Sequence, residues 1–395
     1  MKDVIALYNQ KRSVFSNPEP PCRILKDSSF VHRPVYAVIP ACAEYPGIFS
    51  TFESLNALET PPSIVCVVNH RSNAPDTMKE NNRTLVREAL KYGVCVLDCT
   101  EDKNEFGEGE GVGKARRIGM DYALYCGAKV IACMDADTLV SPSYGKALYD
   151  FFLQGEEQRG KGKNPLAGAL SGFTHQAAEN REIQTAIEAY EFFIKEHSRR
   201  LFQTGTPFYP YALGPSIAAS AWGYAAAGGM NKRISGEDFY FLQSLIKIHM
   251  QSTVLQTESG QSGRPFIFPE LDCTVFPQAR LSARTLFGTG QKLTALTQQA
   301  EKIECASLLY PDDVYTKIKQ TIALFYETQK APSCFFAEIR KRLPDVCDFL
   351  TGEGFPKVWE KTAEQNRGNL QRLEAAFHTW FDGLKILRLI HYLMR

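Results

Sequence analysis

The chain has 395 residues with 45 basic and 44 acidic side chains, and its formal net charge of +1 argues against nucleic acid as a partner. No uncharged apolar run is long enough to cross a bilayer, and the start, MKDVIALYNQKRSVF, lacks the apolar core of a signal peptide. Eleven cysteines occur without a CxxC pair, several in apolar runs (Cys66, Cys133), which points to reduced, buried thiols in a cytoplasmic protein and away from a cysteine metal site.

The first half alternates strand and helix signals. VYAVIP (35–40) is a short β-rich run, and 47–58 has helical apolar spacing through Ile48, Phe52 and Leu55. SIVCVV (63–68) is continuously apolar, as a strand buried on both faces should be. A helix over 84–92, a strand GVCVLD (93–98), a helix over 112–126 and a strand KVIACMD (129–135) follow. Strands spaced by helices in this way imply βαβ units and a parallel sheet, with ligands at the carboxyl ends of the strands. Beyond these, GEEQRGKGKNPLAG (155–168) reads as a surface loop, 179–201 as a long helix and TGTPFYPYALGPS (204–216) as a loop. After about residue 290 the pattern is mostly helical, and no internal repeat is present.

Residues 107–119 read GEGEGVGKARRIG. A Walker loop would need a glycine where Glu108 stands and a hydroxyl where Ala115 stands. A dinucleotide fingerprint would need to follow its strand directly, but CTEDKNEF intervenes. The bland reading is a flexible loop ahead of a helix, with Arg117 on a solvated face.

The fourth strand ends in MDADTLVSP. Asp135 and Asp137, two residues apart in extended chain, point the same way. Such a concentration of negative charge suits a hard cation, Mg2+ or Mn2+, that shares the carboxylates with phosphate oxygens. An Asx-rich turn capping the next helix is the competing reading. A second acidic pair, Glu237-Asp238, follows Gly236 and opens an amphipathic helix, where the helix dipole alone would favour it.

Taken together, VIPACAE, GEGVGKARRIGMDYAL, MDADTLV and GPSIAASAWGYAAAGGMNKRISGEDFYFLQSLIK resemble the family 2 glycosyltransferases, over about residues 35–290. The resemblance implies a GT-A fold, an α/β architecture with a mixed, mainly parallel sheet flanked by helices. The chain then divides into an N-terminal extension (1–34), a catalytic domain (35–290) and a helical C-terminal region (291–395). It also implies transfer of a sugar from a nucleoside-diphosphate sugar to an acceptor hydroxyl, with inversion, although similar folds with the same aspartates can retain. Asp137 would hold the metal, with Asp135 joining it or contacting the ribose or donor sugar. Asp238, or else Glu237, would be the general base. Pro40 and Glu44 would lie at the nucleoside and Asn69 at the base, where relatives often have aspartate. Gly113, Lys114 and Arg116 would lie near the donor, the glycines letting the backbone approach it.

FPQARLSARTLFGTGQKL (276–293) carries Arg280, Arg284 and Lys292 around a GTG turn and reads as a lid over the diphosphate or as an exposed basic loop. No histidine is assigned to the metal. The processive synthases' Gln-x-x-Arg-Trp motif is absent, which favours single addition. Trp222 and the tyrosines of 207–214 suit either an acceptor surface or the core. A sugar-phosphate nucleotidyltransferase or a non-catalytic nucleotide- or carbohydrate-binding relative are the alternatives. The acceptor is a glycan, a lipid-linked compound or a small molecule. The tail, LEAAFHTWFDGLKILRLIHYLMR (373–395), reads as a helix packed on the catalytic domain, with peripheral membrane contact as the competing reading.

Overall fold

The computed structural model describes residues 3–17, 19–154, 166–254, 266–281, 294–297 and 305–395. The chain forms two compact units, one of residues 1–187, 212–245 and 269–301, the other of 188–211, 246–268 and 302–395.

The first unit is built on a nine-stranded sheet. Its strands are β1 (Arg23–Leu25), β2 (Val35–Ala41), β3 (Ser63–Asn69), β4 (Cys95–Cys99), β5 (Val130–Cys133), β6 (Thr138–Val140), β7 (Gly168–Phe173), β8 (Ile217–Ser220) and β9 (Glu270–Pro277). The spatial order is β1-β4-β3-β2-β5-β8-β7-β9-β6. The run β4-β3-β2-β5 is parallel, as the alternation of strands and helices implies, with Val38 opposite Val65 and Cys133. β1, β8 and β6 join antiparallel, and β7 and β9 pair in parallel. The sheet is therefore mixed, flanked by helices, with a helical C-terminal part.

β2 and β3 are buried almost throughout because helices cover both faces. On one face Val35, Ala37, Ile39, Ile64, Cys66 and Val68 pack with α2 (Ile48–Asn56), α3 (Asp76–Ala89) and α5 (Tyr144–Tyr149). On the other, α4 (Val112–Tyr125) lies across β2 and β3. Gly119 permits this approach, since a Cβ there would lie 2.3 Å from Val38 Cγ1.

The N-terminal segment contains α1 (Val4–Lys11) and docks on α4 through a buried carboxylate. Asp121 accepts the hydroxyls of Tyr8 (2.7 Å) and Tyr224 (2.6 Å) and the Val14 N–H (2.8 Å). Burial raises the Asp121 pKa despite these donors. Gly229, at φ +79°, leaves room for the Tyr8 hydroxyl, which a Cβ would meet at 2.0 Å. Arg117 is not on a solvated face: it donates to Met230 O and Arg12 O, each at 2.8 Å, and pairs with Asp121 at 3.6 Å. Helices α6 (Arg181–Thr204), α7 (Ala221–Ala226) and α8 (Glu237–Val254) complete the elements before β9.

The second unit is helical in its C-terminal stretch: α9 (Asp312–Thr328), α10 (Phe335–Arg342), α11 (Pro344–Gly352), α12 (Phe355–Gln365), α13 (Leu370–Trp380) and α14 (Gly383–Leu393). Its centre is aromatic. Phe325 and Phe377 stack with ring centroids 4.2 Å apart, and Phe335, Phe355 and Trp359 surround them. The apolar stripe of the tail is buried here, through Leu373, Phe377, Ile386, Leu389 and Ile390. α14 packs on α9 and α11 of its own unit, and its basic residues Lys385 and Arg388 both pair with Glu353. Among the described residues no helix is long and apolar enough to cross a membrane. The eleven cysteines are free thiols, most of them buried.

Phe377→Ala should lower stability by ~3–5 kcal/mol, the cost of emptying a well-packed aromatic site. Denaturant unfolding of the full chain measures this, and an unchanged midpoint would remove Phe377 from the core of this unit.

Candidate active site

The carboxyl ends of the parallel strands carry the acidic groups. Glu44 follows β2, and Asp135 and Asp137 follow β5. The backbone of the Asp135–Asp137 turn is clamped at each carbonyl. Asp135 O accepts from Thr138 N at 3.4 Å, Ala136 O from the Thr51 hydroxyl at 2.9 Å, and Asp137 O from Gln176 Nε2 at 3.0 Å and Gln278 N at 3.2 Å.

Arg116, one turn into α4 and only 3% exposed, joins this turn to the second acidic pair. Its Nη2 meets Asp135 Oδ1 at 2.5 Å, its Nε donates to Glu237 Oε1 at 3.0 Å, and its Nη1 reaches Met134 O at 3.4 Å. Burial alone would lower the Arg116 pKa, but the charges around it, Asp135 foremost among the carboxylates, more than reverse this and keep it protonated. Gly214 gives the guanidinium its space, since a Cβ there would sit 2.5 Å from Nη2.

The glycine-rich stretch before α4 permits a close approach of another kind than the one expected. A Cβ on Gly111 would lie 2.8 Å from Ile234 O, and one on Gly113 would lie 2.5 Å from Arg233 O, which accepts the Gly113 N–H at 3.2 Å. These glycines seat the start of α4 against residues 231–234. That segment leads through Gly236 (φ +70°) into α8, and Asn231 Nδ2 holds Glu237 O at 2.8 Å. The glycine-rich run and the Glu237-Asp238 pair are thus one assembly.

Glu237 is buried, and burial raises its pKa against the pull of Arg116. Asp238 stays partly open to solvent; its burial, then the Glu237 charge, push its carboxyl up to about 7. Asp238 Oδ1 accepts the Phe239 N–H at 2.7 Å.

Asp137 has its own cation. Arg280 Nε lies 2.6 Å from Asp137 Oδ2, and its Nη2 donates to Glu44 Oε1 at 3.0 Å. Burial and then the Asp135 charge push the Asp137 carboxyl up to about 6, with Arg280 opposing. Two neighbouring carboxylates at one strand end are a donor set suited to Mg2+ or Mn2+. Each has one oxygen on an arginine, and Asp135 Oδ2 and Asp137 Oδ1 take no hydrogen bond from another side chain among the described residues. Among those residues no group of three acidic, histidine or cysteine side chains is placed to hold a metal ion, and Mg2+ commonly shares one or two carboxylates with phosphate and water.

The other expected residues are placed as follows. Lys114 pairs with Glu110 at 2.6 Å and lies over the Phe106 ring. Asn69 donates its amide to Ala41 O (3.1 Å) and Val67 O (3.2 Å) at the end of β3. Pro40 lies within β2, and Arg284 and Lys292 lie outside the described residues. Tyr209 is buried. Thr51, Gln176, Gly214 and Asn231 were not singled out by the sequence. Only Gly214, in the GPS run, carried a local signal.

No family model matches the sequence, and no curated protein matches it. Similar solved structures include residues 1–349 of S. aureus TarS in complex with UDP-GlcNAc, 10% identical, with a TM-score of 0.40 and coverage of 88% of this chain and 90% of that one. Glucosyl-3-phosphoglycerate synthase from Mycobacterium tuberculosis, in complex with Mn2+, UDP and phosphoglyceric acid, is 13% identical, with a TM-score of 0.32 and coverage of 75% and 78%. Likeness at this level carries neither an activity nor a residue role to this chain.

Arg116→Ala should cost ~3–5 kcal/mol, because it strands the buried Glu237 carboxylate without its partner. Arg116→Met with Glu237→Gln should recover part of that loss. Thermal unfolding of the three proteins checks both expectations, and an Arg116→Ala protein that melts like the parent would show that the guanidinium is not the tie.

Proposed function

We propose that the protein transfers a sugar from a nucleoside-diphosphate sugar to an acceptor hydroxyl, once per acceptor and with inversion, using Mg2+ or Mn2+. The observation that carries this reading is that one member of each acidic pair, Asp135 and Glu237, meets on Arg116 at the carboxyl end of β5. One pair suits a hard cation and the other contains a carboxyl poised near neutrality.

Asp137 and Asp135 would hold the metal, which supplies Lewis-acid neutralisation of the charge that gathers on the leaving diphosphate. The chain's own groups do the rest. Asp238 takes the proton from the acceptor hydroxyl on Oδ2, since Oδ1 is bonded to the Phe239 N–H. Glu237 is the weaker candidate for this step because Arg116 holds it. Arg280, beside Asp137, adds positive charge at the donor side. Glu44 lies at the nucleoside, and Asn69, with its N–H groups on main-chain carbonyls, keeps its oxygen for the base. The acceptor is a hydroxyl compound.

Incubation with a panel of nucleotide sugars and Mn2+ should release nucleoside diphosphate. Pyrophosphate formed from a sugar phosphate and a nucleoside triphosphate would mark a nucleotidyltransferase instead. Asp137→Ala should abolish the gain in nucleotide affinity that Mn2+ confers, measured by calorimetry.

Asp238→Asn should keep nucleotide binding and lose transfer by ~10²–10⁴-fold, the usual contribution of a positioned base. The pH dependence has a definite sign. The base must be ionised to accept a proton, so transfer rises with pH through about 7 and then levels. Stability runs the other way: the raised folded pKa gives a contribution that is full below the unfolded value and lost as pH rises through about 7. A rate profile flat across neutrality, with Asp238→Asn still active, would leave the pair as a helix cap only.

A further inference from the structure

We infer that Arg280 is the built-in counter-cation of the Glu44–Asp137 pair, and that a metal–diphosphate displaces it, so that metal and donor bind as one coupled unit. This rests on the proposed function and adds to it an order of events at the same site.

The guanidinium bridges two carboxylates on separate strand ends, Asp137 Oδ2 at 2.6 Å and Glu44 Oε1 at 3.0 Å. Its planar fork suits such bridging, and it suits a phosphate equally well. The two carboxylates are largely buried, at 11% and 19% side-chain exposure, while Arg280 keeps 34%. The cation is therefore the partner with access to solvent and to an entering ligand.

The backbone that carries Arg280 is fixed. Gln278 N bonds Asp137 O, and Gln176 Nε2 bonds both Asp137 O and Phe276 O, the latter at 2.6 Å. The exchange therefore needs only side-chain rotation about Arg280, with the end of β9 left in place.

Charge bookkeeping sets the direction. Asp135 is matched by Arg116, and Asp137 by Arg280. A divalent cation arriving alone competes with the guanidinium for Asp137 and, among the described residues, finds no group of three ligating side chains. A diphosphate arriving with it offers oxygens to the metal and new acceptors to Arg280 together. Metal then strengthens diphosphate binding, and by reciprocity diphosphate strengthens metal binding by the same factor.

The test is a titration of the full chain with Mn2+ alone at pH 8, reading free ion by electron paramagnetic resonance, repeated with UDP and with GDP. Arg280→Gln should bind Mn2+ alone about ten-fold more tightly than the parent, within the ordinary range of coupling between sites. Its further gain from the nucleotide should shrink. Arg280→Lys, which keeps the charge, should stay close to the parent, and Asp137→Asn should erase the gain in the double variant. Circular dichroism and melting confirm that each variant is folded.

Arg280→Gln binding Mn2+ alone no more tightly than the parent overturns the exchange, and so does an equal gain in the Asp137→Asn background. If the parent still gains Mn2+ affinity with nucleotide in an Asp137-dependent way, the metal assignment survives that failure. If Mn2+ binds nowhere, with or without nucleotide, both fall.

Discussion

A charged guanidinium with almost no exposed surface has to be matched on all sides, and Arg116 is matched by groups from two distant parts of the chain. The Met134 carbonyl and Asp135 come from the two residues just past β5, and Glu237 from the start of α8. Taking such a group out of water is unfavourable unless its partners are held in good geometry. Much of the surrounding sequence serves that geometry. Gly214 clears the space beside Nη2, and Gly111 and Gly113 let α4 start flush against residues 231–234. The glycine-rich run ahead of α4 is thus explained by what the helix must touch.

The same arrangement separates two kinds of carboxylate. Glu237 and Asp135 are tied to Arg116, whereas Asp238 takes only a main-chain N–H in its own helix turn among the described contacts. Burial raises both of these adjacent acids, but one has a fixed counter-charge to oppose the rise and the other has that first acid for a neighbour. Asp137 is raised first by burial and then by the Asp135 charge, with Arg280 working against the rise. Two arginines thereby divide four carboxylates into held and poised members.

The legible parts of the fold were those decided locally. Continuous apolar runs marked β2 and β3, and the start of α4 at Val112 followed from the end of the glycine stretch. β6 was hidden because three residues, Thr138–Val140, are too few to show a period, and they read as part of an acidic turn. β7 and β8 were hidden because their small residues, GALSGF and IAAS, resemble loop. In the site, the acidic pairs were visible as strings, but their division of labour was not. It depends on Arg116 meeting Glu237 across 121 residues and Arg280 meeting Glu44 across 236. Lys114 shows the opposite case: its neighbour one helical turn back, Glu110, holds it, as i,i+4 pairs commonly do.

The position of β9 bears on how the protein is made. It lies between β7 and β6, so β6 has no sheet neighbour until β9 arrives, and Thr274 N bonds Ser141 Oγ across 133 residues. A chain emerging from the ribosome therefore presents β6 and one side of β7 as open edges while the residues between them are synthesised, a condition that invites pairing with other chains. The Asp135–Asp137 turn is affected too, since Gln278 secures its last carbonyl. Closure of the sheet and completion of the acidic turn are one late event, and a nascent chain released before that point would carry the aspartates without the frame that aims them.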